Sequence, residues 1–237
     1  MDRYGKARIP SPKHLYTEPE KRWFLKLVLL CCFSLLCQLV LYPLLPATVP
    51  TNWDLYGQVG VQSPRSTHLL LCAFPLFTTL GFYLAPCIDP RRRNYRQHGK
   101  AYRMVAAATV GLVLAMSWAA TFTALGMQLP IPSIIMVLVG LLYVVLGNHM
   151  PQFRPNYFCG IRTPWALAND VVWRKTQRMG GFLFCLCGIV LLLFAFLPSQ
   201  AAWYFAMPLF LTSVALPALY SYILHRKITQ EDSHAKN

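Results

Sequence analysis

Between Lys26 and Asp54, between Arg65 and Asp89, between Arg103 and Arg154, and between Arg178 and Arg226 the chain holds no Asp, Glu, Lys or Arg. Crossing a hydrocarbon core of about 30 Å takes roughly 20 apolar residues in a helix. The first two stretches suit one crossing each, and the last two are long enough for two. Each long stretch is interrupted by helix-ending residues, Gly126-Met127-Gln128-Leu129-Pro130-Ile131-Pro132 in one and Leu197-Pro198-Ser199-Gln200 in the other. The pattern predicts six helices, over 23–45, 67–86, 104–126, 132–147, 180–197 and 201–224. These segments are apolar on every side rather than along one stripe, as helices surrounded by hydrocarbon are. The expected fold class is an all-α membrane protein with six transmembrane helices.

Charge then sets the orientation. Lys and Arg beside short connections stay on the cytoplasmic side. Arg3, Lys6, Arg8, Lys13, Lys21 and Arg22 precede the first span, and Arg91, Arg92, Arg93, Arg96, Lys100 and Arg103 join the second to the third. Arg154, Arg162, Arg174, Lys175 and Arg178 join the fourth to the fifth, and Arg226, Lys227 and Lys236 follow the sixth. The alternate connections hold Arg65 alone, and Lys26 at the mouth of the first span can snorkel. Both termini are therefore expected inside, with the multi-pass chain in a bacterial plasma (inner) membrane. Only 13% of residues are charged against 56% apolar, and 22 Lys+Arg against 8 Asp+Glu leave +14. Because the basic residues fall only in the gaps between apolar stretches, they point to the lipid bilayer as partner and not to direct nucleic-acid binding. The first segment is too long and lacks the cleavage pattern of a signal peptide.

Two connections exceed a plain linker. The external segment 46–66 begins Pro46-Ala47-Thr48-Val49-Pro50-Thr51-Asn52-Trp53-Asp54-Leu55-Tyr56-Gly57. Its prolines stiffen it, its glycines permit turns, and Trp53 and Tyr56 suit a membrane interface. It reads either as an interfacial turn, with Asn52 and Asp54 bonding their own backbone, or as a recognition surface for something arriving from outside. In the cytoplasmic segment 148–179, Thr163 is an N-cap with Pro164 at the first helical position, and Gly180-Gly181 closes the pattern. A helix is predicted over 164–178. On it Trp165, Ala168, Val172 and Met179 share one face, while Asp170, Arg174, Gln177 and Arg178 occupy the other, with Asp170 and Arg174 spaced as an i,i+4 ion pair. Such a helix is expected to lie along the inner membrane surface, either as a lipid anchor or as a docking element.

The remaining chemistry-bearing residues argue for packing. Cys31, Cys32, Cys37, Cys72, Cys185 and Cys187 fall in predicted spans, with Cys87 and Cys159 at the cytoplasmic side, where disulfides are not expected. The histidines fall at span ends and tails without a second His or carboxylate at i+3 or i+4, so no metal is expected. Ala107, Gly111, Ala115 and Ala119 form a small-residue stripe for close helix approach, to another span or to a second copy in a homo-oligomer. Gln38, Thr78, Thr79, Ser117, Thr121, Thr123, Ser133, Thr212 and Ser213 read as hydrogen-bonding glue between helices. No Asp, Glu or Arg lies inside a span, whereas ion-coupled transporters usually keep one there. Asp54 and Asp170 are expected on opposite sides of the bilayer, so they form no acid–base pair. No catalytic residue and no cofactor is expected.

Two runs carry a resemblance. Leu45-Pro46 through Val49-Pro50-Thr51-Asn52-Trp53 to Gly57 resembles the signature of an N-terminal module of the DUF1648 type. Gly147-Asn148 through Asn156, Gly160-Ile161-Arg162-Thr163-Pro164-Trp165, Asn169, Trp173 and Arg178-Met179-Gly180-Gly181 resembles that of the SdpI family of bacterial membrane proteins. Where the first signature often has His before its aromatic residue, this chain has Asn52. The expected division is a basic cytoplasmic tail over 1–22, a DUF1648-like module over 23–103, an SdpI-like module over 104–200, and a last span with a cytoplasmic end over 201–237. The tail and the last span lie outside the matched motifs and are read from charge and hydropathy alone; the resemblance implies the two modules and a non-enzymatic immunity and signal-transduction role. The family's namesake confers resistance to a secreted membrane-active peptide toxin and holds a cytoplasmic repressor at the membrane.

The residues expected to carry ligand or partner binding are Asn52, Trp53, Asp54 and Gly57 outside, and Asn148, Asn156, Gly160, Arg162, Thr163, Trp165 and Trp173 inside. Arg162 is the expected charged contact, to a partner or to lipid phosphate, and Gly160 supplies backbone freedom. A small transporter or permease for an apolar or peptide substrate is the alternative reading.

Overall fold

The computed structural model describes residues 16–54, 57–197 and 199–234. Most of the predicted basic tail, together with Leu55, Tyr56 and Pro198, lies outside the described residues. Six helices are long and apolar enough to cross a membrane. In chain order the helices are α1 (Glu18–Leu41), α2 (Arg65–Ile88), α3 (Tyr95–Ala124), α4 (Ile131–His149), α5 (Pro164–Ala168), α6 (Asp170–Phe194) and α7 (Ser199–His234). All but the short α5 correspond to expected spans, and several begin or end beyond the predicted limits.

Local chemistry explains their ends. At the start of α1 the Glu20 carboxylate accepts from the Thr17 backbone N–H at 2.9 Å and also takes the Arg103 guanidinium at 2.5 Å, which ties α1 to α3. Pro75 and Pro86 sit inside α2, where the ring removes a backbone donor. The Thr79 hydroxyl donates to the Pro75 carbonyl at 2.9 Å and is buried beside it. α3 bends at His98, whose φ of −123° and ψ of 21° leave the helical region.

The connection between α1 and α2 is an antiparallel hairpin of β1 (Thr48–Trp53) and β2 (Val59–Pro64). An all-α reading did not foresee these strands. Thr48 pairs with Pro64, Val49 with Ser63 and Pro50 with Gln62, and the register shifts on either side of Asn52. Proline is tolerated because a two-stranded ribbon has a free outer edge for each strand. Val49 is fully buried and packs with Leu45 and Ala124, seating the ribbon on the ends of α1 and α3.

The single helix predicted over 164–178 is broken. Asn169 adopts extended backbone, and its Oδ1 accepts from the N–H groups of Val171 at 2.8 Å and Val172 at 3.2 Å. It is a second N-cap inside what the periodicity reads as one helix. Residues 170–178 are consequently the first turns of the fifth long helix and not a separate element on the membrane surface. Val172 and Trp173 are fully buried in a core with Phe24, Tyr95, Tyr102, Met150 and Phe153. Asp170 and Arg174 do not form the expected pair: among the described residues the ion pairs are Lys21–Glu18 and Arg103–Glu20.

Close helix packing also falls elsewhere than expected. A Cβ added at Gly111, in the predicted small-residue stripe, would meet nothing within 4 Å. By contrast, α4 and α6 meet backbone to backbone. A Cβ at Gly147 would lie 2.5 Å from the Gly181 carbonyl oxygen, and one at Gly188 would lie 2.6 Å from that of Gly140. Seven residues separate the glycines on each helix, two turns, so both contacts fall on one seam.

Part of the expected polar glue is real. The Gln38 amide donates to Ser34 and Ser117 at 3.1 and 2.9 Å, and its oxygen accepts from Thr121 at 2.9 Å. His68, read as a span-end residue, is buried and joins this cluster through Nε2 to the Thr121 hydroxyl at 3.0 Å. Thr78, Thr123 and Thr212 instead bond carbonyls of their own helices.

Replacing Gly147 with Val is expected to cost about 1–3 kcal/mol, the usual range for overpacking. Gly111→Ala is expected to be neutral or stabilising by up to about 1 kcal/mol. Thermal unfolding of the solubilised protein measures both.

Candidate functional site

The richest side-chain chemistry gathers at the arginine-rich end, where α2, α3, α4, α6 and α7 finish or begin. Asp89 follows the last residue of α2 and is only 1% exposed. Its Oδ1 accepts from the Arg91 N–H at 2.7 Å, and its Oδ2 accepts from the Tyr95 hydroxyl and the Tyr157 N–H, each at 2.9 Å. A buried carboxyl group is costly unless bonded in this way. Asp89 thereby ties the end of α2 to the start of α3 and to the irregular segment 153–163.

That segment has little regular structure, so its backbone groups need side-chain partners. Asn156, fully buried, supplies several. Its Oδ1 accepts from Phe158 and Cys159 at 2.9 and 2.6 Å, and its Nδ2 donates to the Arg154 carbonyl at 2.8 Å. Gln177 on α6 grips the far end: Oε1 accepts from the Ile161 N–H at 3.1 Å, and Nε2 donates to the Ile161 carbonyl at 2.9 Å. Gly160 beside it has φ +88°, and a Cβ there would meet the Gln177 oxygen at 2.5 Å. The conformation and the close approach both require glycine. Trp173 lies beneath, fully buried, with Nε1 donating to the Phe153 carbonyl at 2.8 Å.

The outer edge of this clasp meets α7. Thr163 caps α5, its hydroxyl accepting from the Ala166 N–H at 3.3 Å, and also bonds Ser221 at 2.8 Å. Trp165 donates through Nε1 to Ser221 and packs edge-on against Tyr222. Arg162 is exposed, with Nη1 donating to the Tyr157 carbonyl. Burial pushes the Cys159 thiol up to about 12, against a smaller lowering by Arg162.

Of the predicted inner residues, Asn156, Gly160, Arg162, Thr163, Trp165 and Trp173 come together in one clasp. Asn148 does not join it by its side chain: it is exposed near the end of α4, and its carbonyl accepts from Gln152 at 3.5 Å. Asp89, Tyr95, Gln177 and Ser221 were missed. Asp89 stands out in the sequence as the acid between an apolar run and Arg91-Arg92-Arg93, the one signal that pointed to it. Gln177 falls on the polar face of the predicted helix, but the irregular segment packs over that part of α6 and buries it.

At the other end the hairpin presents Asn52 and Asp54 exposed and Trp53 half-buried. Asp54 holds the turn, its Oδ1 and N–H bonding the Gln58 N–H and carbonyl at 2.8 and 2.9 Å. Gly57, at φ +80°, brings the tip to Pro132, where a Cβ would come within 3.2 Å of that ring.

A bundle of six potential spans, capped by a ribbon at one end and a hydrogen-bonded clasp at the other, defines a multi-pass α-helical membrane protein. Residues 152–221, the stretch that contains Asn156, Arg162, Trp173, Gln177 and Ser221, match the model of the SdpI/YfhL protein family. The chain is also similar to the Immunity protein SdpI of Bacillus subtilis (strain 168), 25% identical over 202 residues that cover 85% of this chain and 95% of that one. The resemblance to the SdpI family is thus shown. No solved structure matches the chain.

Gln177→Leu strands two buried backbone groups of Ile161, and is expected to destabilise the fold by about 2–6 kcal/mol, from about 1–3 for each unsatisfied group. Denaturant or thermal unfolding in detergent measures it. Because its thiol is buried and titrates near 12, Cys159 is expected to resist iodoacetamide at pH 8.5 until the protein unfolds, as mass spectrometry of the alkylated peptides would report.

Proposed function

We propose that this chain is an immunity and signal-response protein of the bacterial plasma membrane, which protects against a secreted membrane-active peptide toxin and holds a cytoplasmic repressor at the membrane. An immunity membrane protein is what the named relative supports; toxin and repressor extend that reading. In it the arginine-rich clasp faces the cytoplasm and the hairpin faces outward, with both termini inside, because twenty of the 22 Lys+Arg fall at one end of the bundle or in the tails. The DUF1648-like module 23–103 supplies the hairpin and Asp89, and the SdpI-like module 104–200 supplies most of the clasp.

One observation carries the reading. α2 joins the two faces by hydrogen bonds at both ends: the Arg65 N–H at its start donates to the Ala47 carbonyl of the hairpin base at 3.0 Å, and Asp89 just past its end holds the clasp. A peptide that displaces the hairpin acts through this helix on the hydrogen bonds of Asp89. Toxin and repressor then favour the same arrangement of α2, and each strengthens binding of the other. Asn52, Asp54 and Trp53 form the receiving surface outside, and Arg162 is the charged contact inside.

Two experiments test this. In a background without native cysteines, an impermeant thiol reagent is expected to label Gln58→Cys but not Asp170→Cys on intact cells; the opposite pattern inverts the orientation. In a deletion strain challenged with membrane-active peptides, Arg162→Ala is expected to abolish signalling to the repressor with unchanged insertion. Full signalling at equal expression removes Arg162 from the site.

A further inference from the structure

A cavity of about 440 Å3 opens between the α2–α3 connector, the 153–163 segment and the start of α6. Its lining includes Arg91, Arg154 and Arg174, with Asn94, Gln97 and Asp170. The frame is held from several sides. Arg91 Nη2 donates to the Leu167 carbonyl at 2.9 Å, and its guanidinium lies 5.6 Å from the centre of the Tyr157 ring. Asn94 Nδ2 donates to the Pro155 carbonyl at 2.7 Å, and the Arg154 N–H donates to His98 Nδ1 at 3.3 Å. The three arginines therefore project from elements already fixed by the clasp.

Their charges are not balanced within the protein. Among the described residues neither Arg91, Arg154 nor Arg174 forms an ion pair, and Asp170, the one carboxylate in the lining, pairs with none of them. Three arginines and one carboxylate around one cavity leave a surplus of positive charge that favours an anion there. The planar guanidinium forks match a phosphate better than a point charge. The size of the cavity suits a small group rather than a macromolecular surface, and Asp170 on its wall repels an extended polyanion.

We propose that this cavity binds a phosphate oxyanion, presented by an anionic lipid headgroup or by a small soluble phosphate ester, with Arg154 and Arg174 as the principal ligands and Arg91 as a fixed third. The site stands apart from Arg162 and does not rest on the immunity reading.

The test uses the full-length protein with two probes. One is inorganic phosphate added to detergent-solubilised protein, against chloride at equal ionic strength, read by thermal unfolding. The other is nanodiscs of phosphatidylglycerol against phosphatidylcholine, with bound lipid counted by native mass spectrometry. Arg154→Gln and Arg174→Gln, both at exposed side chains, are each expected to weaken binding about tenfold, the equivalent of one charge-assisted hydrogen bond. Asp170→Asn is expected to strengthen it. Dependence on the two arginines only in the nanodisc arm identifies the headgroup as the source, and dependence only in detergent identifies the soluble ester. If neither probe separates the wild type from the Arg154→Gln/Arg174→Gln double variant, the proposal is wrong.

Discussion

The Asp89 carboxyl group is the constraint on which the arginine-rich end depends. Placing it almost out of reach of water is unfavourable by several kcal/mol unless its oxygens are bonded. Three donors from three parts of the chain meet it: the Arg91 N–H, the Tyr95 hydroxyl and the Tyr157 N–H. The first two come from the connector and the helix that follow Asp89 directly, and the third from a segment 68 residues on. The connector, the first turn of α3 and the irregular segment must assemble together or leave a polar group stranded. Asn156 and Gln177 extend the same logic along the segment, bonding backbone that neither helix nor sheet satisfies.

The platform beneath the clasp is the α4–α6 seam. In hydrocarbon, helices gain little from burying apolar surface against each other, so close backbone approach supplies the attraction. Gly147 and Gly181 at one level, and Gly140 and Gly188 two turns away, permit it. The seam runs directly into the clasp: Gly180 faces Ile161 and Met150, and Gln177 and Trp173 follow one and two turns earlier on α6. A tight helix pair thus sets the height at which the irregular segment is gripped.

The two faces differ in how they are held. The clasp is bonded inward, with its arginines on the outside, while the hairpin rests on Val49, Leu45 and the contact of Gly57 with Pro132. The hairpin presents its polar residues with few long-range bonds, and so has the lower cost of rearrangement. α2, with prolines at 75 and 86, connects the lightly held hairpin at one end to the densely bonded clasp at the other.

Six spans, their order and the separation of charge were legible in the sequence, because long apolar runs and arginine clusters are properties of composition that neighbours hardly alter. Thr163, Pro164 and the Gly160 turn were legible for the same reason, since caps and left-handed glycines act over a few residues. The break at Asn169 was not, as an Asn within a periodic pattern is either a cap or an exposed helical residue, and only the burial of Val172 and Trp173 selects the cap. The hairpin, the glycine seam and the burial of Asp89, His68 and Gln177 were likewise decided by tertiary structure. Each depends on a partner in another element of the fold, and a polar side chain carries no local mark of whether that partner will be water or the rest of the protein.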